Sequence, residues 1–167
     1  MSGIEIERKY LVRQGSVAYR SAAFACRHIL QGYIPADGAT VRVRVVDDEA
    51  FLTIKSHSVD GGLSRYEFEH RITTDEARNL LRLCKGGFID KHRYLVQSDQ
   101  HVVEVDEFHG RNEGLVVAEI EFDSKEETAI LPDFIGEEVT YDRRFSNASL
   151  LIHPYSEWQS DSKSAQE

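Results

Sequence analysis

Residues 40–55 read Thr-Val-Arg-Val-Arg-Val-Val-Asp-Asp-Glu-Ala-Phe-Leu-Thr-Ile-Lys. In the first half, three valines alternate with Arg42 and Arg44. The second half ends at Lys55, which would point to the face opposite that of the preceding Ile54. Neighbouring side chains of a strand point to opposite faces, so this period of two predicts a strand on each side of the aspartate pair, which is typical of a turn. The stretch therefore predicts a β-hairpin with one apolar and one basic face.

The same period of two recurs in both directions along the chain and favours a mainly antiparallel β protein. Strands are predicted near residues 4–12, 27–34, 40–47, 50–57, 63–73, 88–98, 101–108 and 115–123.

Three short helices are predicted besides these strands. Thr74 opens the first, in which apolar residues follow helical spacing until a glycine pair ends it. Ser124 and Glu127 form the sequence pattern of a capping box, which predicts a second helix that stops before the next proline. A third is predicted over residues 147–153. The expected fold class is therefore α+β, mainly β.

Composition limits the class of protein. The chain has 167 residues, 41% apolar side chains and a net charge of −9, which suits one folded domain with a polar, disordered tail over residues 156–167. The lack of a basic stretch argues against nucleic acid and membrane surfaces as partners. With no apolar run near the roughly 18 residues of a membrane helix and no leader, a cytoplasmic location is expected. Cys26 and Cys84 stand alone and predict buried free thiols.

Like charges are grouped on single strand faces. The residues that share faces are Glu5 with Glu7 and Lys9, Arg42 with Arg44, Arg65 with Glu67 and Glu69, Lys91 with Arg93, Glu104 with Asp106, and Glu119 with Glu121. For any one strand, a solvated face is the simplest interpretation. A solvated face would tend to alternate the signs, however, because like charges destabilise neighbouring strands, and here they stand only about 7 Å apart.

A barrel with these charged faces inward would enclose a polar tunnel. Burial of unpaired ions is costly, so such a lumen needs partners that neutralise its charges. A polyanion bound with a divalent metal is complementary, because cations bind phosphate oxygens while carboxylates hold a hard ion such as magnesium or manganese.

Eight segments, in order, resemble the CYTH-domain proteins, the triphosphate tunnel metalloenzymes. They are Glu5-Ile6-Glu7-Arg8-Lys9, Gln31-Gly32-Tyr33, Val41-Arg42-Val43-Arg44, Thr53-Ile54-Lys55, Gly62-Leu63-Ser64-Arg65-Tyr66-Glu67-Phe68-Glu69, Lys91-His92-Arg93, Glu104-Val105-Asp106 and Ala118-Glu119-Ile120-Glu121. The resemblance covers residues 4 to about 152, so a CYTH domain is expected over residues 1–155. It implies an eight-stranded antiparallel β-barrel with a charged lumen and a few helices packed outside.

The resemblance also implies roles for individual residues. The residues that would bind the triphosphate are Lys9, Arg42, Arg44, Lys55, Arg65, Lys91 and Arg93. The residues that would bind the metal are Glu5, Glu7, Asp106, Glu119 and Glu121, and the expected cofactor is Mg²⁺ or Mn²⁺. Glu67, Glu69 and Glu104 complete the tunnel lining. Lys9, Glu5 and Glu7 are the candidate catalytic residues, because a carboxylate of the metal set or Lys9 could take the proton of the attacking water.

The compact chain and its Gly-Leu-Ser-Arg-x-Glu hairpin are most similar to short bacterial members that hydrolyse inorganic tripolyphosphate. That small molecule is therefore the expected substrate. Thiamine triphosphatase or another organic triphosphatase, class IV adenylyl cyclase, and a non-catalytic polyphosphate-binding module remain alternatives. Ser146 stands where these members are expected to carry a lysine, and apolar outer strands leave a homodimer open.

Overall fold

The protein is described by a computed structural model that covers residues 3–58 and 60–159. Within these residues one antiparallel sheet has the strand order β5-β4-β3-β2-β6-β7-β8-β1-β9, and β1 also pairs with β5. The strands are β1 (Gly3–Val12), β2 (Ala25–Ile34), β3 (Ala39–Val46), β4 (Glu49–Ser56), β5 (Ser64–Ile72), β6 (Ile89–Ser98), β7 (His101–Phe108), β8 (Val116–Phe122) and β9 (Ile135–Glu138). The expected eight-stranded barrel is confirmed, with a ninth strand outside it.

Strand β1 closes the barrel. One of its edges pairs with β8 over most of its length. The other edge is divided, because residues 3–6 pair with β5 whereas Tyr10 and Val12 pair with the short strand β9. All eight predicted strands are present, with ends within two residues of those expected, while β9 was not predicted.

The helices of the described residues are α1 (Ala18–Ala22), α2 (Thr74–Leu81) and α3 (Asn147–Ile152), and these residues also form three short 3₁₀ turns. Helix α2 begins with a complete capping box between Thr73 and Glu76. The prediction of a helix after Ser124 is wrong. Glu127 does accept a hydrogen bond from the Asp123 backbone N–H, at 2.7 Å, but the chain makes one turn and then runs on without helical structure.

The outer wall of the barrel is apolar and covered on two sides. Helix α1 places Tyr19 against the outer face of β6, β7 and β8, where it joins Val103 and Ile120 in the larger core cluster. Helix α2 covers β3 and β4 through Ala77, which packs with Val43. Because these apolar side chains occupy the outer face, the alternating charged ones must point into the lumen.

One end of the lumen is filled by apolar side chains. Ile89, Phe108 and Val117 continue the inward-facing rows of β6, β7 and β8, and Phe145 and Leu150 pack against them. Helix α3 and the 3₁₀ turn before it therefore cover this end of the barrel.

Two further expectations concern the cysteines and the C-terminal tail. Both cysteines are free, but Cys26 is exposed and Cys84 half-buried, so their expected burial is wrong. The tail expected over residues 156–167 lies outside the described residues from 160 onward. Before that point, Trp158 packs edge-on against Phe145 and Tyr155. No helix in the described part of the chain has the length and apolarity needed to cross a membrane.

Candidate active site in the barrel lumen

The lumen contains a cavity of about 290 Å³, to which all eight barrel strands contribute side chains. Its charged lining residues are Glu5, Glu7, Lys9, Arg42, Arg44, Lys55, Arg65, Glu67, Glu69, Lys91, Arg93, Glu104, Glu119 and Glu121. The structure therefore brings together every residue singled out from the sequence except Asp106.

Strand register sets which charges meet. Lys9 lies opposite Glu119 in the β1–β8 ladder, with Lys9 Nζ 3.8 Å from Glu119 Oε1. Two residues along, Glu7 lies opposite Glu121, so two carboxylates face each other. A slip of β1 by one residue would turn Glu7 and Lys9 to the outer face and bring apolar side chains into the lumen, so the buried apolar wall also fixes the register of the charges.

One part of the lumen, the basic segment, consists of Lys9, Arg42, Arg44, Lys91 and Arg93. Single carboxylates sit between these cations. Arg44 Nη2 donates to Glu69 Oε1 at 2.8 Å, and Arg42 Nη2 stands 4.0 Å from the same oxygen. Burial and the neighbouring Arg42 lower the pKa of Arg44 to about 10. The positive charges are therefore crowded beyond what their carboxylate partners neutralise.

The other part, the acidic segment, consists of Glu5, Glu7, Glu67, Glu104 and Glu121. Lys55 and Arg65 stand at its border. Lys55 Nζ lies 2.8 Å from Glu5 Oε2 and 3.5 Å from Glu67 Oε2, while Arg65 reaches Glu5 at 3.6 Å. Burial raises the pKa values of Glu5, Glu7 and Glu104, and neighbouring carboxylates raise them further.

Glu119 and Glu121 show the difference between the two segments. Burial disfavours the charge of Glu119, but Lys9 and Arg93 outweigh it and hold the pKa of Glu119 well below its ordinary value. Glu121 is surrounded by the carboxylates of the acidic segment, so burial and then Glu104 raise its pKa to about 7. Among the described residues, no basic side chain lies within 4 Å of Glu121.

Asp106 is not part of the cavity lining. It is 1% exposed and lies behind Lys91 and Arg93, both of which donate to its carboxylate. Burial opposes its ionisation, but Arg93 and Lys91 outweigh burial and lower the pKa of Asp106. Its oxygens thus face two cations of the basic segment rather than the lumen.

A second, wider cavity of about 660 Å³ opens from the acidic segment, with which it shares Glu5, Glu67, Glu104 and Glu121. We call this opening the acidic mouth. It adds Asp123, Glu127, His101 and Phe122 to the shared residues. The lumen is therefore asymmetric, with carboxylates at the acidic mouth and helix α3 covering the opposite end.

Several lumen residues were not predicted as site residues. Tyr33 and Thr40 line the cavity, and Asn147 at the start of α3 does so as well. Tyr33 could have been found from register, because it lies opposite Arg42 in the β2–β3 ladder. Nothing in the local sequence pointed to Asn147. Ser146, the residue that replaces an expected lysine, caps α3 by accepting from the Ser149 backbone N–H at 3.1 Å.

The donor set suits a hard divalent cation. The acidic segment clusters carboxylate oxygens that raise one another's pKa, and a bound cation would relieve this repulsion. The described residues hold no ready-made group of three side chains that could bind a metal by themselves. Magnesium usually combines one or two carboxylates with substrate phosphates and water, so the arrangement fits an ion bound together with its substrate.

Comparison with known proteins agrees with this fold. The CYTH domain family matches residues 3–151, so the chain belongs to the CYTH domain family. An inorganic triphosphatase of Acetivibrio thermocellus is 44% identical over 155 residues, 92% of this chain and 96% of the relative. An inorganic triphosphatase of Nitrosomonas europaea is 35% identical over 153 residues, 89% of this chain and 97% of the relative.

A solved structure supports the same assignment. The crystal structure of the inorganic triphosphatase NE1496 has a TM-score of 0.59 to this chain at 30% identity. The match covers 89% of this chain and 94% of that one.

Proposed function

We propose that this protein is a divalent-metal-dependent triphosphatase that hydrolyses inorganic tripolyphosphate to pyrophosphate and phosphate within the barrel lumen. The observation that carries the proposal is the lumen itself, in which a basic segment adjoins a cluster of carboxylates within one cavity. The names of the two relatives described above support the same activity. In the reaction, a water oxygen bonds to a terminal phosphorus, the bridging P–O bond breaks, and the pyrophosphate oxygen leaves with the electron pair.

The basic segment would bind and align the substrate. Phosphoryl transfer depends on positioning and charge neutralisation more than on covalent chemistry, which suits a lumen lined by fixed cations. Arg42 and Arg44 can each present several N–H donors to phosphate oxygens, whereas Lys9 and Lys91 act as compact charges.

The carboxylates of Glu5, Glu7, Glu119 and Glu121 would hold Mg²⁺ or Mn²⁺. Bound there, the ion would neutralise charge that develops on the phosphoryl oxygens and activate the attacking water. Glu119 is ionised at neutral pH and ready to bind, whereas Glu121 must lose a proton near pH 7.

The proton of the attacking water would go to a carboxylate rather than to Lys9. Burial disfavours the ammonium form of Lys9, but Glu119 and Glu7 outweigh burial and raise its pKa. Lys9 therefore stays charged and serves as a substrate-binding cation. Glu5 and Glu7, whose pKa values burial raises, are the better proton acceptors of the three catalytic candidates.

An inorganic substrate is favoured over thiamine triphosphate or ATP by the aromatic residues of the two cavities. These are Tyr33, whose hydroxyl accepts from Gln31 Nε2 at 3.0 Å, and Phe122, which is 8% exposed and packed beside His101. Phe122 is therefore too buried for an organic ring to stack on it, and Tyr33 is tied to its own strand through its hydroxyl.

The deciding experiment measures phosphate release from tripolyphosphate, thiamine triphosphate and ATP in parallel. Each is tested with magnesium, with manganese and with chelator, and cyclic AMP is measured in the ATP reactions. Fast release from tripolyphosphate that the chelator abolishes supports the proposal. Release mainly from an organic triphosphate, or cyclic AMP from ATP, would favour those alternatives, and binding without release would indicate a polyphosphate-binding module.

We also propose a homodimer formed through the outer faces of β1, β4 and β5. Ile4, Ile54, Tyr66 and Phe68 are exposed there, on a part of the wall that α1 and α2 leave uncovered. Light scattering on a sizing column tests this state. A monomer mass at the highest concentration used would rule it out. The cytoplasmic location expected from the sequence remains a prediction.

A further inference from the structure

Both carboxylate oxygens of Asp106 are occupied by cations of the basic segment. Oδ1 accepts from Arg93 Nε at 2.7 Å. Oδ2 accepts from Lys91 Nζ at 2.7 Å and from Arg93 Nη2 at 2.9 Å. Because Asp106 is 1% exposed, a metal ion in the lumen could reach these oxygens only if both cations moved aside.

Lys91 has a second partner, which comes from a distant part of the chain. Its ammonium donates to Asn147 Oδ1 at 2.9 Å, across 56 residues of sequence. Lys91 is 1% exposed, and Phe108 lies under the ammonium with its ring centroid 5.4 Å away. Asn147 is the first residue of α3, so this helix fixes one side of the lysine.

An ammonium group has three N–H donors in fixed tetrahedral directions. Asp106 takes one of the three on Lys91 and Asn147 takes another, and Lys91 itself lines the lumen cavity. One N–H is thus left for a ligand in the lumen. A flexible lysine side chain that is held by two partners binds an anion without having to give up its rotational freedom at that moment.

We propose that Asp106 and Asn147 are positioning residues that hold Lys91 in place to bind the triphosphate, and that Asp106 does this instead of binding the metal. The proposal rests on the proposed function, since it assigns the lumen to a triphosphate. It gives the aspartate a role different from the one implied by the family resemblance, and it adds to the site a residue from α3.

The test separates anion binding from metal binding. Tripolyphosphate binding is measured by calorimetry with chelator present, so that no turnover occurs, and Mn²⁺ binding is measured by electron paramagnetic resonance without substrate. Asp106→Asn should weaken tripolyphosphate binding about 10- to 100-fold, as large a loss as is typical when the partner that orients a metal-binding side chain is removed, while Mn²⁺ affinity stays within about twofold. Asn147→Ala should weaken tripolyphosphate binding several-fold with no effect on Mn²⁺.

Asp90→Asn is the matched control. It makes the same chemical change next to Lys91 in sequence, but Asp90 is on the outer face, where it contacts His28 at 2.7 Å. Both affinities should remain those of the wild type. In steady-state assays, Asp106→Asn and Asn147→Ala should raise KM more than they lower kcat, whereas loss of a metal ligand would lower kcat most.

Loss of Mn²⁺ affinity in Asp106→Asn with tripolyphosphate binding unchanged would show a metal ligand and overturn the proposal. If that variant does not fold by circular dichroism, a double-mutant cycle decides. In a Lys91→Ala background, Asn147→Ala should have no further effect on tripolyphosphate binding, and additive losses would contradict the proposal. A wild-type protein that does not bind tripolyphosphate would instead refute the proposed function.

Discussion

The basic segment of the lumen comes from β1, β3 and β6 and the acidic segment from β1, β5, β7 and β8, and the two segments hold their charges in opposite ways. On β8, Glu119 is paired with Lys9 and stays ionised, whereas Glu121, two residues further on, faces carboxylates and has its pKa raised to about 7. The position of a residue in the alternation along its strand, its parity, therefore decides only whether its charge enters the lumen. Whether that group is protonated depends on which residues of the other strands surround it in the lumen.

The two segments also differ in what they lack. The basic segment holds more cations than its carboxylates neutralise, and the acidic segment has more carboxylates than its cations can pair. A triphosphate would complete the first and a divalent cation the second. Neither ligand alone balances the lumen, so we expect each to strengthen binding of the other.

Removal of a carboxylate from the acidic segment should have the largest effect. Glu7→Gln is expected to lower kcat on tripolyphosphate by about 10²-fold or more, because it removes a proposed metal ligand that is also a candidate proton acceptor. The melting temperature should not fall, because burial and Glu119 already oppose ionisation of the native side chain. Full activity, or gross unfolding, would contradict this assignment.

Removal of a cation from the basic segment should act mainly on substrate binding. A hydrogen bond to a charged group contributes about 1.5–3 kcal/mol, so Arg42→Ala should raise KM about 10- to 150-fold. Arg71→Ala is the control. Its side chain is 68% exposed and pairs with Glu49 outside the lumen, so KM should not change. An unchanged KM in Arg42→Ala would remove Arg42 from the substrate site.

The pKa of Glu121 predicts opposite effects of pH on metal binding and on stability. As pH falls through about 7 the carboxylate takes up a proton, so Mn²⁺ affinity should weaken up to tenfold per pH unit. The folded-state pKa lies above the unfolded value, so this group favours folding at low pH and that contribution is lost as pH rises through 7.

The matched variant for this comparison is Glu121→Gln. Without metal it should melt at a higher temperature than the wild type at pH 8, and the difference should shrink towards pH 6. Its Mn²⁺ affinity should be weak and nearly independent of pH over the same range. A pH-independent difference in melting temperature between the two proteins would show that Glu121 does not titrate near 7.

Much of this site could be predicted from the sequence, because the period of two places alternate side chains of a strand in the wall and in the lumen. Asp106 shows the limit of that rule. Parity places it on the inner face with Glu104, but its depth behind Lys91 and Arg93 depends on how side chains of neighbouring strands pack. The face on which a side chain lies follows from its own strand, whereas the depth of its burial depends on how several strands pack, so the sequence pattern predicts the first and not the second.

Two other features of the fold could not be predicted from the sequence, for different reasons. Helix α1 has five residues and no side-chain cap, and it is held mainly by the burial of Tyr19, so no local signal marks it. The opposite error occurred after Ser124. The Glu127 carboxylate makes the bond typical of a helix start, but Ser98 Oγ donates to the Ile130 carbonyl oxygen and ties the following chain to β6.

The smallest expected effect comes from adding a cation where the basic segment meets α3. Ser146 lines the lumen cavity and caps the helix, so Ser146→Lys would gain a charge near the substrate and lose a cap worth about 1 kcal/mol. We expect KM to fall a few-fold at low salt with kcat unchanged, and the melting temperature to drop by a few degrees. High salt should remove the gain in KM, because exposed charges are screened. A lower KM that persists at high salt would mean that the new lysine binds the substrate directly, and the basic segment would then extend to the start of α3.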